Sequence, residues 1–480
     1  MALMGGVVTA VETGRDAASR YAWREAFDLF AAADAASPLE PDDLDLMAEC
    51  AWWIGKMRHC IALRERAHAE YLKAGDVRRA ARVAIELADH RGALGEADDA
   101  MAWIQKATRL LEREPEGAEH GWLQLELGIF RRDEGDLSAA GGFAAEAESI
   151  GARHGDKDLF AVSHALHGCA VAFSGDPERG LPMVEEATQG AVAGELGARA
   201  TGWIYCMMLS VNAQLADWKT AGHWTEAAVE WCNRQAINGF PGVCRIHRAE
   251  ILRLRGAFSE AEEEARVATT ELASFNLWFT AQAFAELGEV RVKMGDLDGA
   301  EDAFRQASEM GVLPQPGQAL ALLQRGRPQA AATALRRALA HTSLSALDRA
   351  KLLPAQLEVA LVLDDVEVAR AAAAELDAIA GAHTSSPALR ATADAGAAAV
   401  ALADGALAEA AQAATHARVL FDEIDLRYES ARASLLLGQV YQAQGDADLA
   451  RAEMTTALTK LQSIGAVPDA NHARELLAAL

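Results

Sequence analysis

The sequence is short of positive charge, of aromatic residues and of long apolar runs. Its 45 lysines and arginines are outnumbered by 70 aspartates and glutamates, so the formal net charge is -25. A surface of this sign repels the phosphates of nucleic acids and of anionic membranes. No stretch approaches the roughly 18 consecutive apolar residues that a membrane-spanning helix needs. We therefore expect no direct nucleic-acid binding by this segment and no membrane contact.

Cysteine is also sparse and has no regular spacing. The chain has six cysteines, with no Cys-x-x-Cys pair among them. Scattered thiols in a large chain are typical of a reducing compartment. The N-terminal residues lack the cationic start and apolar run of a signal peptide. Together these features predict a cytoplasmic protein.

The sequence contains none of the familiar catalytic signatures. It has no Gly-x-Ser-x-Gly, no phosphate-binding glycine loop ending in lysine and no His-Glu-x-x-His. His164 with His167, and Cys244 with His247, have a spacing that could place two metal ligands on one helix face. Two ligands are too few for a metal site. Packing in the core or exposure at the surface is a better explanation for both pairs. We expect no enzyme, no metal and no cofactor, and a covalent role for Cys206 or Cys244 lacks support.

A pattern of small residues dominates the sequence and returns about every 40 residues. It is organised around twelve turn positions. The fifth residue after each is alanine in ten cases, and the twelfth is alanine in eleven, with Leu376 as the exception. A fixed period of this size predicts a stacked array of helix pairs. The turn positions are Tyr21, Gly55, Gly95, Gly135, Gly175, Ala216, Gly256, Gly295, Gly326, Asp364, Gly405 and Gly445.

The stretch 280–310 illustrates one repeat. Apolar residues follow helical spacing before Gly295 and again after Asp296. Glycine can adopt the left-handed conformation that ends a helix, and aspartate can cap the next helix. Small side chains such as Ala300 and Ala307 allow two helices to cross closely, which predicts that the phased alanines lie at helix contacts.

This pattern resembles the tetratricopeptide repeat, and the resemblance covers essentially the whole chain. It implies an all-α, right-handed superhelical solenoid of about twelve helix-turn-helix units. The period is longer than the family's usual repeat of about 34 residues, and many repeats lack the family's glycine and aromatic positions. The best matching positions are Leu287, Gly288, Gly295, Ala300, Phe304 and Ala307, and again Leu437, Gly438, Tyr441, Gly445, Ala450 and Ala457.

A narrower resemblance is to the repeat arrays of actinobacterial LuxR-type and maltose-regulator-like transcriptional regulators. It is carried by the longer period and by residues 215–218, 231–234 and 239–250. It implies a sensory module in which a bound small effector or partner protein biases an output domain. No helix-turn-helix pattern with a basic recognition helix occurs before Leu480. The alternatives are a stand-alone scaffold that joins proteins and, third, an enzyme built on the solenoid.

The tetratricopeptide resemblance also implies a binding groove lined by the first helices of successive repeats. The positions carried over from the motif combine aromatic, thiol and charged residues, which suits a peptide, protein or small effector. Inter-helix packing is an equal explanation for the two tryptophans among them. The predicted groove residues are Trp122, Arg132, Cys169, Phe173, Trp203, Cys206, Gln214, Ile246, Glu250, Arg253, Glu289 and Lys293.

Three further features concern organisation. Trp224 and Trp231 lie at near-heptad spacing, which favours a place in the helix-stack core. The period contracts near Gly326, after a proline-containing stretch that could bend the array. We therefore expect an N-terminal array with the groove at 1–313, alanine-rich repeats at 314–467 and a capping helix at 468–480.

Overall fold

The computed structural model describes residues 2–234, 243–341 and 344–480, and this part of the chain is an all-α repeat solenoid. Its helices form twelve pairs followed by a single C-terminal helix, as the repeat pattern predicted. Consecutive helices pack against each other from the first to the tenth and again from the sixteenth to the twenty-fifth. Residues 235–242, which belong to the segment resembling LuxR-type arrays, lie outside the described residues.

The odd-numbered helices are the first members of each pair and the even-numbered helices the second. In the first six pairs the helices are α1 Ala2–Ser19, α2 Trp23–Ala36, α3 Pro41–Trp53, α4 Met57–Ala74, α5 Val77–Ala93, α6 Ala97–Leu111, α7 Ala118–Asp133, α8 Leu137–His154, α9 Lys157–Phe173, α10 Pro177–Val192, α11 Ala198–Gln214 and α12 Trp218–Arg234. The remaining helices are α13 Val243–Leu254, α14 Phe258–Leu272, α15 Leu277–Met294, α16 Leu297–Glu309, α17 Gly317–Gln324, α18 Pro328–Leu339, α19 Ala346–Val362, α20 Val366–Ala382, α21 Pro387–Ala403, α22 Leu407–Glu423, α23 Arg427–Gln444, α24 Ala447–Ser463 and α25 Val467–Ala478.

All twelve predicted turn positions adopt a positive φ. Nine are glycines, for which this conformation carries no steric penalty from a Cβ atom. The other three are Tyr21, Ala216 and Asp364, with φ values of 61°, 56° and 57°. The turn is thus fixed by the repeat architecture even where glycine is missing. Asp296 caps the helix after Gly295, because its side chain accepts a hydrogen bond from the Gly299 amide.

The phased small residues are buried at both positions in all twelve repeats. Gly180 shows how closely the helices approach at these points. A Cβ atom added there would lie 2.4 Å from the Gly168 carbonyl oxygen and 2.5 Å from the Ala172 nitrogen. Larger residues at these positions would force neighbouring helices apart. The steric interpretation of the alanine pattern is therefore confirmed.

The contraction of the repeat near Gly326 corresponds to two short helices, α17 with 8 residues and α18 with 12. At the C-terminus, α25 packs on α24 and buries Ala470 and Ala473. The division of the array at residue 313 stays a prediction. Within the described residues, none of the helices combines the length and the apolarity needed to cross a membrane.

The chain forms two compact units that are interleaved in sequence. Unit 1 comprises Met1–Val211, Trp224–Cys244 and Thr270–Thr280. Its core includes a tryptophan cluster in which the Trp23 and Trp53 rings stack at 5.3 Å. Trp224 and Trp231 pack around Tyr205 in the same unit, which agrees with the predicted core placement.

Unit 2 comprises Asn212–His223, Arg245–Thr269 and Ala281–Leu480. In its core the Phe258 and Tyr428 rings meet edge to face at 5.7 Å. This contact joins α14 to α23, helices that lie far apart in sequence.

Candidate binding cavity

Four successive first helices of unit 1, α5, α7, α9 and α11, enclose a cavity of about 80 Å³, which we term the unit-1 cavity. Equivalent positions of the repeat form one stripe along it, thirteen residues before each turn position. That stripe consists of Arg82, Trp122, Val162 and Trp203. The other lining residues are Ile85, Glu86, Asp89, Leu125, Glu126, Asp158, Arg199 and Ala200.

Much of the buried lining of the unit-1 cavity is apolar. Ile85, Leu125 and Val162 are buried there. Trp122 and Trp203 are only half-buried, so each presents part of its ring to solvent. Aromatic walls above an apolar base supply contact area, while charged groups around them can orient a ligand.

Both tryptophans contact arginines of the protein itself. The Arg82 guanidinium lies 3.6 Å from the Trp122 ring centroid, which is cation–π geometry. Arg199 lies 5.3 Å from the Trp203 ring. The Trp122 indole N–H also donates a hydrogen bond to the Asp156 carboxylate at 2.8 Å. These contacts hold the aromatic walls in place.

A buried ion-pair network supports the cavity from one side. Arg64 of α4 is 2% exposed, and its guanidinium lies 2.6 Å from Glu86 and 2.9 Å from Glu49. Arg82 donates to Glu86 from the same helix at 3.0 Å. Burial disfavours ionisation of Glu86, but Arg64, Arg82 and Arg199 outweigh it and lower its pKa to about 2. Glu86 is therefore ionised at neutral pH.

Arg199 extends the network across the repeats. Its guanidinium donates to Asp89 at 2.7 Å, linking α11 to α5. Burial raises the pKa of Asp89, and Arg199 opposes that effect. Burial, together with Arg64 and Arg199, holds the pKa of His90 well below its ordinary value, so this imidazole is neutral.

Glu126 differs from the other carboxylates of the cavity. Its side chain is 3% exposed, and its Oε1 atom has no hydrogen-bond partner among the described residues. Burial, reinforced by the negative charge of Asp89, raises the pKa of Glu126 well above that of an ordinary glutamate. This environment favours the protonated form of the Glu126 carboxyl, and a cation beside it would favour ionisation.

Half of the predicted groove residues lie in unit 1, and the structure brings Trp122 and Trp203 together in the unit-1 cavity. Arg132 is half-buried and pairs with its neighbour Asp133. Cys169 is buried, and burial raises its pKa to about 12, so it is an inert thiol. The half-buried Phe173 and Cys206 complete this half of the set.

The other predicted residues lie in unit 2, where several pair internally. Arg253 was predicted as a groove residue, and a lone buried charge is unfavourable, so its exposure was expected. Instead, it donates to Glu286 at 2.6 Å and is largely buried with it. The expectation that a charged residue would be exposed overlooked this partner in the next repeat. Gln214 donates to Asp348 at 2.8 Å. The buried residues of this half are Ile246 and Lys293, and the half-buried ones are Glu250 and Glu289.

The two spacings considered for metal binding have other roles. His164 and His167 each lie 3.1 Å from Glu148, one on each carboxylate oxygen. These contacts lower the pKa of Glu148 to about 2. Cys244 is buried in the core of unit 1. Within the described residues, no group of three or more His, Cys, Asp or Glu has a metal-binding arrangement.

The sequence prediction missed the charged residues of the unit-1 cavity. Glu86 and Glu126 both stand nine residues before their turn glycine, so the repeat register could have placed them on one stripe. Arg199 would have been harder to identify from the sequence, because its partner Asp89 lies in a repeat far upstream. Whether these groups are paired depends on packing between repeats that the sequence does not specify.

Comparisons with known proteins add little to this description. No protein-family profile matches the sequence, and no curated protein is significantly similar to it. Among solved structures, a chain of the APC/C hetero-tetramer Cut9–Hcn1 has 14% identity and a TM-score of 0.41, covering 97% of this chain and 94% of that one. Yeast Tom70 has 13% identity and a TM-score of 0.36, covering 98% and 95%. Because both TM-scores are low, the fold assignment rests on the helix pairs themselves.

Proposed function

We propose that this chain is a non-catalytic repeat module that binds a partner protein, and that the unit-1 cavity receives one side chain of that partner. The observation that carries the proposal is the cavity itself, with two half-exposed tryptophans over an apolar base. Tryptophan is among the residues that contribute most to protein–protein affinity. A stacked-repeat array offers such positions along an extended surface.

The charged groups beside the tryptophans also support a binding role. Arg82 and Arg199 fix the two indole rings, so little side-chain freedom is lost when a ligand binds. Among the described residues that line the cavity, no nucleophile stands beside a base. His90 is the only imidazole in direct contact with this network in the described residues, and it is fully buried and engaged with Arg64. A recognition role therefore fits the site better than a chemical one.

A selection experiment tests this proposal. Peptides would be selected from a random display library on the full-length protein, and their affinities measured for the wild type, Trp122→Ala and Trp203→Ala. We expect each variant to bind the selected peptides at least about tenfold more weakly. Trp278→Ala is the matched control, because Trp278 is 56% exposed and does not line the cavity.

The result depends on the folding of each variant, so helical circular dichroism accompanies every measurement. Folded Trp122→Ala and Trp203→Ala variants that bind the selected peptides as tightly as the wild type would overturn the proposal. Failure to select any peptide that the Trp203→Ala change weakens would overturn it as well.

The narrower expectation of a sensory module from a LuxR-type regulator rests on the sequence resemblance alone. It requires an output domain, and sequencing the native reading frame beyond Leu480 tests for one. A helix-turn-helix domain in that frame would favour the regulator. A frame that ends without one would favour the stand-alone scaffold.

A further inference from the structure

We propose that the group received by the unit-1 cavity is a single positive charge, an ammonium or a guanidinium, which pairs with Glu126. This inference rests on the proposed function, because it names the chemistry of the ligand at the same cavity. Its independent support is that Glu126 lines the cavity and that its buried Oε1 atom has no hydrogen-bond partner among the described residues.

Acidic side chains outnumber basic ones around the cavity. Six acidic groups belong to the cavity and its supporting network, against three arginines. Burial favours the neutral form of Glu126, and a bound cation would let this carboxyl ionise without leaving an unpaired buried charge. The acids are Asp45, Glu49, Glu86, Asp89, Glu126 and Asp158, and the arginines are Arg64, Arg82 and Arg199.

The same repeat position elsewhere in the chain shows what Glu126 lacks. Glu86 and Glu286 also stand nine residues before their turn glycines, and both are largely buried. Glu86 is paired with Arg64, and Glu286 with Arg253. Of the three, Glu126 alone forms no ion pair within the described parts of the chain, although the charges of Arg199 and Arg132 act to lower its pKa. The ligand would supply the positive charge that an arginine supplies at the other two positions.

The size of the cavity limits the ligand group to a few non-hydrogen atoms. A volume of about 80 Å³ is room for several water molecules, or for the end of a lysine or arginine side chain. Trp122 and Trp203 already contact Arg82 and Arg199, which shows that the rings lining this cavity suit contact with a cation. The net charge of -25 also favours a basic partner over an acidic one.

Binding of a cation would be linked to proton release. Because burial raises the pKa of Glu126, the empty cavity favours its protonated carboxyl, and pairing with a cation would favour release of that proton. Affinity should therefore increase as pH rises, by up to about tenfold per pH unit, until Glu126 is ionised without ligand. The charged groups that face Glu126 from neighbouring positions are Arg82, Glu86, Asp89, Arg132, Asp133, Asp158 and Arg199.

The test uses a peptide from the selection above whose binding requires Trp203. Each lysine or arginine of the peptide is replaced by glutamine, and affinities are measured for the wild type, Glu126→Gln and Glu134→Gln. Glu134 lies at the end of the same helix, is exposed and pairs with Arg131, so it is the matched control. We expect one basic residue whose replacement weakens binding at least about tenfold for the wild type but less than about twofold for Glu126→Gln.

Other outcomes separate this inference from the proposed function. If the peptides require Trp203 but no basic residue, the proposal of a positively charged ligand group is wrong, and the proposed binding role stands. If no peptide requires Trp203, the binding role itself fails. Calorimetry in buffers of different ionisation enthalpy gives a measurement that needs no variant. Proton release on binding is expected, and its absence would overturn the pairing with Glu126.

A final arm identifies the source of the cation. Propylammonium chloride at millimolar concentration is titrated against the peptide complex, with propionamide as the neutral control. Displacement by the ammonium alone indicates that a free amine can occupy the cavity. No displacement indicates that the rest of a polypeptide is needed. Equal displacement by propionamide would contradict a site for positive charge.

Discussion

Arg64 is the residue on which several buried carboxylates of unit 1 converge. It lies within ion-pair distance of Asp45, Glu49 and Glu86 and contacts the neutral ring of His90. A buried ion-pair network adds little stability compared with an apolar core, but loss of one member leaves the others without compensation. Arg64 is therefore important for keeping its carboxylate partners in place behind the cavity.

Replacement of Arg64 by methionine should destabilise the protein strongly. The remaining carboxylates would be left buried without their cation, a loss of about 3–5 kcal/mol in the free energy of unfolding. Arg66→Met is the control on the same helix, because Arg66 is half-exposed and pairs with Asp34. The free energy of unfolding of this control variant should fall by at most about 1 kcal/mol. Denaturant unfolding followed by circular dichroism measures both, and equal losses would contradict a special role for Arg64.

Glu126 should give the protein a distinctive pH dependence. Its pKa is raised on folding, so the folded chain binds this proton more tightly than the unfolded chain does. The stabilisation is complete below the ordinary glutamate pKa of 4.5 and is lost as pH rises through the raised value. Because glutamine does not titrate, the melting temperature of Glu126→Gln should gain on that of the wild type as pH rises above about 4.5. A difference that stays constant with pH would refute the raised pKa.

For single residues, the sequence indicated which side chains to consider, but not whether each one is buried, exposed or paired. For Trp122 and Trp203 the sequence left a groove and inter-helix packing as equal explanations, and both residues line the unit-1 cavity. Arg253 was expected to be exposed because a lone buried charge is unfavourable, yet Glu286 of the next repeat pairs with it. The sequence prediction failed there because it considered each charge without the partner that packing between repeats provides.

Helices are held at close distance by the phased small residues. In α22, Ala410, Ala414 and Ala417 are all fully buried against neighbouring helices. The alanine period was visible in the sequence, and its steric role follows directly from helix packing. The same repeat position in α20 holds Leu376, which is buried as well, so the crossing there accommodates a larger side chain.

A larger side chain at one of the alanine positions should separate two helices. Ala417→Leu is expected to destabilise the protein by about 1–3 kcal/mol, because the added atoms have no space at the crossing. Ala408→Leu on the same helix is the control, since Ala408 is exposed, and its effect should stay within about 0.5 kcal/mol. Chemical unfolding compares the two variants. Similar values for both would mean that helix propensity rather than packing fixes the alanines.

The turns were the most predictable elements. All twelve positions adopt the left-handed conformation, including Tyr21, Ala216 and Asp364, which a search for glycine alone would have missed. Periodicity identified them because each turn must recur where the helix pair reverses. The compact units were not predictable in the same way, since they depend on contacts between helices far apart in sequence, such as Phe258 with Tyr428.

At the scale of the whole array, each repeat depends on its neighbours for a buried face, and the last repeat depends on α25. That helix covers α24, and the Tyr428 hydroxyl donates to Asp469 at 3.0 Å. Pro468 also lies against the turn at Gly295, so the helix joins distant parts of unit 2.

Deletion of α25 should loosen unit 2 and leave unit 1 unaffected. A chain ending at Ala466 would expose the apolar face of α24, including Leu461, and remove the partner of Tyr428. We expect faster amide hydrogen exchange in α23 and α24, with unchanged exchange in α3 to α8. Hydrogen-exchange mass spectrometry resolves these segments. Unchanged exchange in α23 and α24 would show that α25 does not stabilise the end of the array.

The most direct measurement of the central claim is a crystal structure of the full-length protein with a selected peptide. We predict a lysine or arginine side chain of the peptide in the unit-1 cavity, between Trp122 and Trp203. Its nitrogen should lie at hydrogen-bond distance, about 3 Å, from the Glu126 carboxylate. A peptide bound elsewhere on the protein, or a neutral side chain in the cavity, would contradict the account.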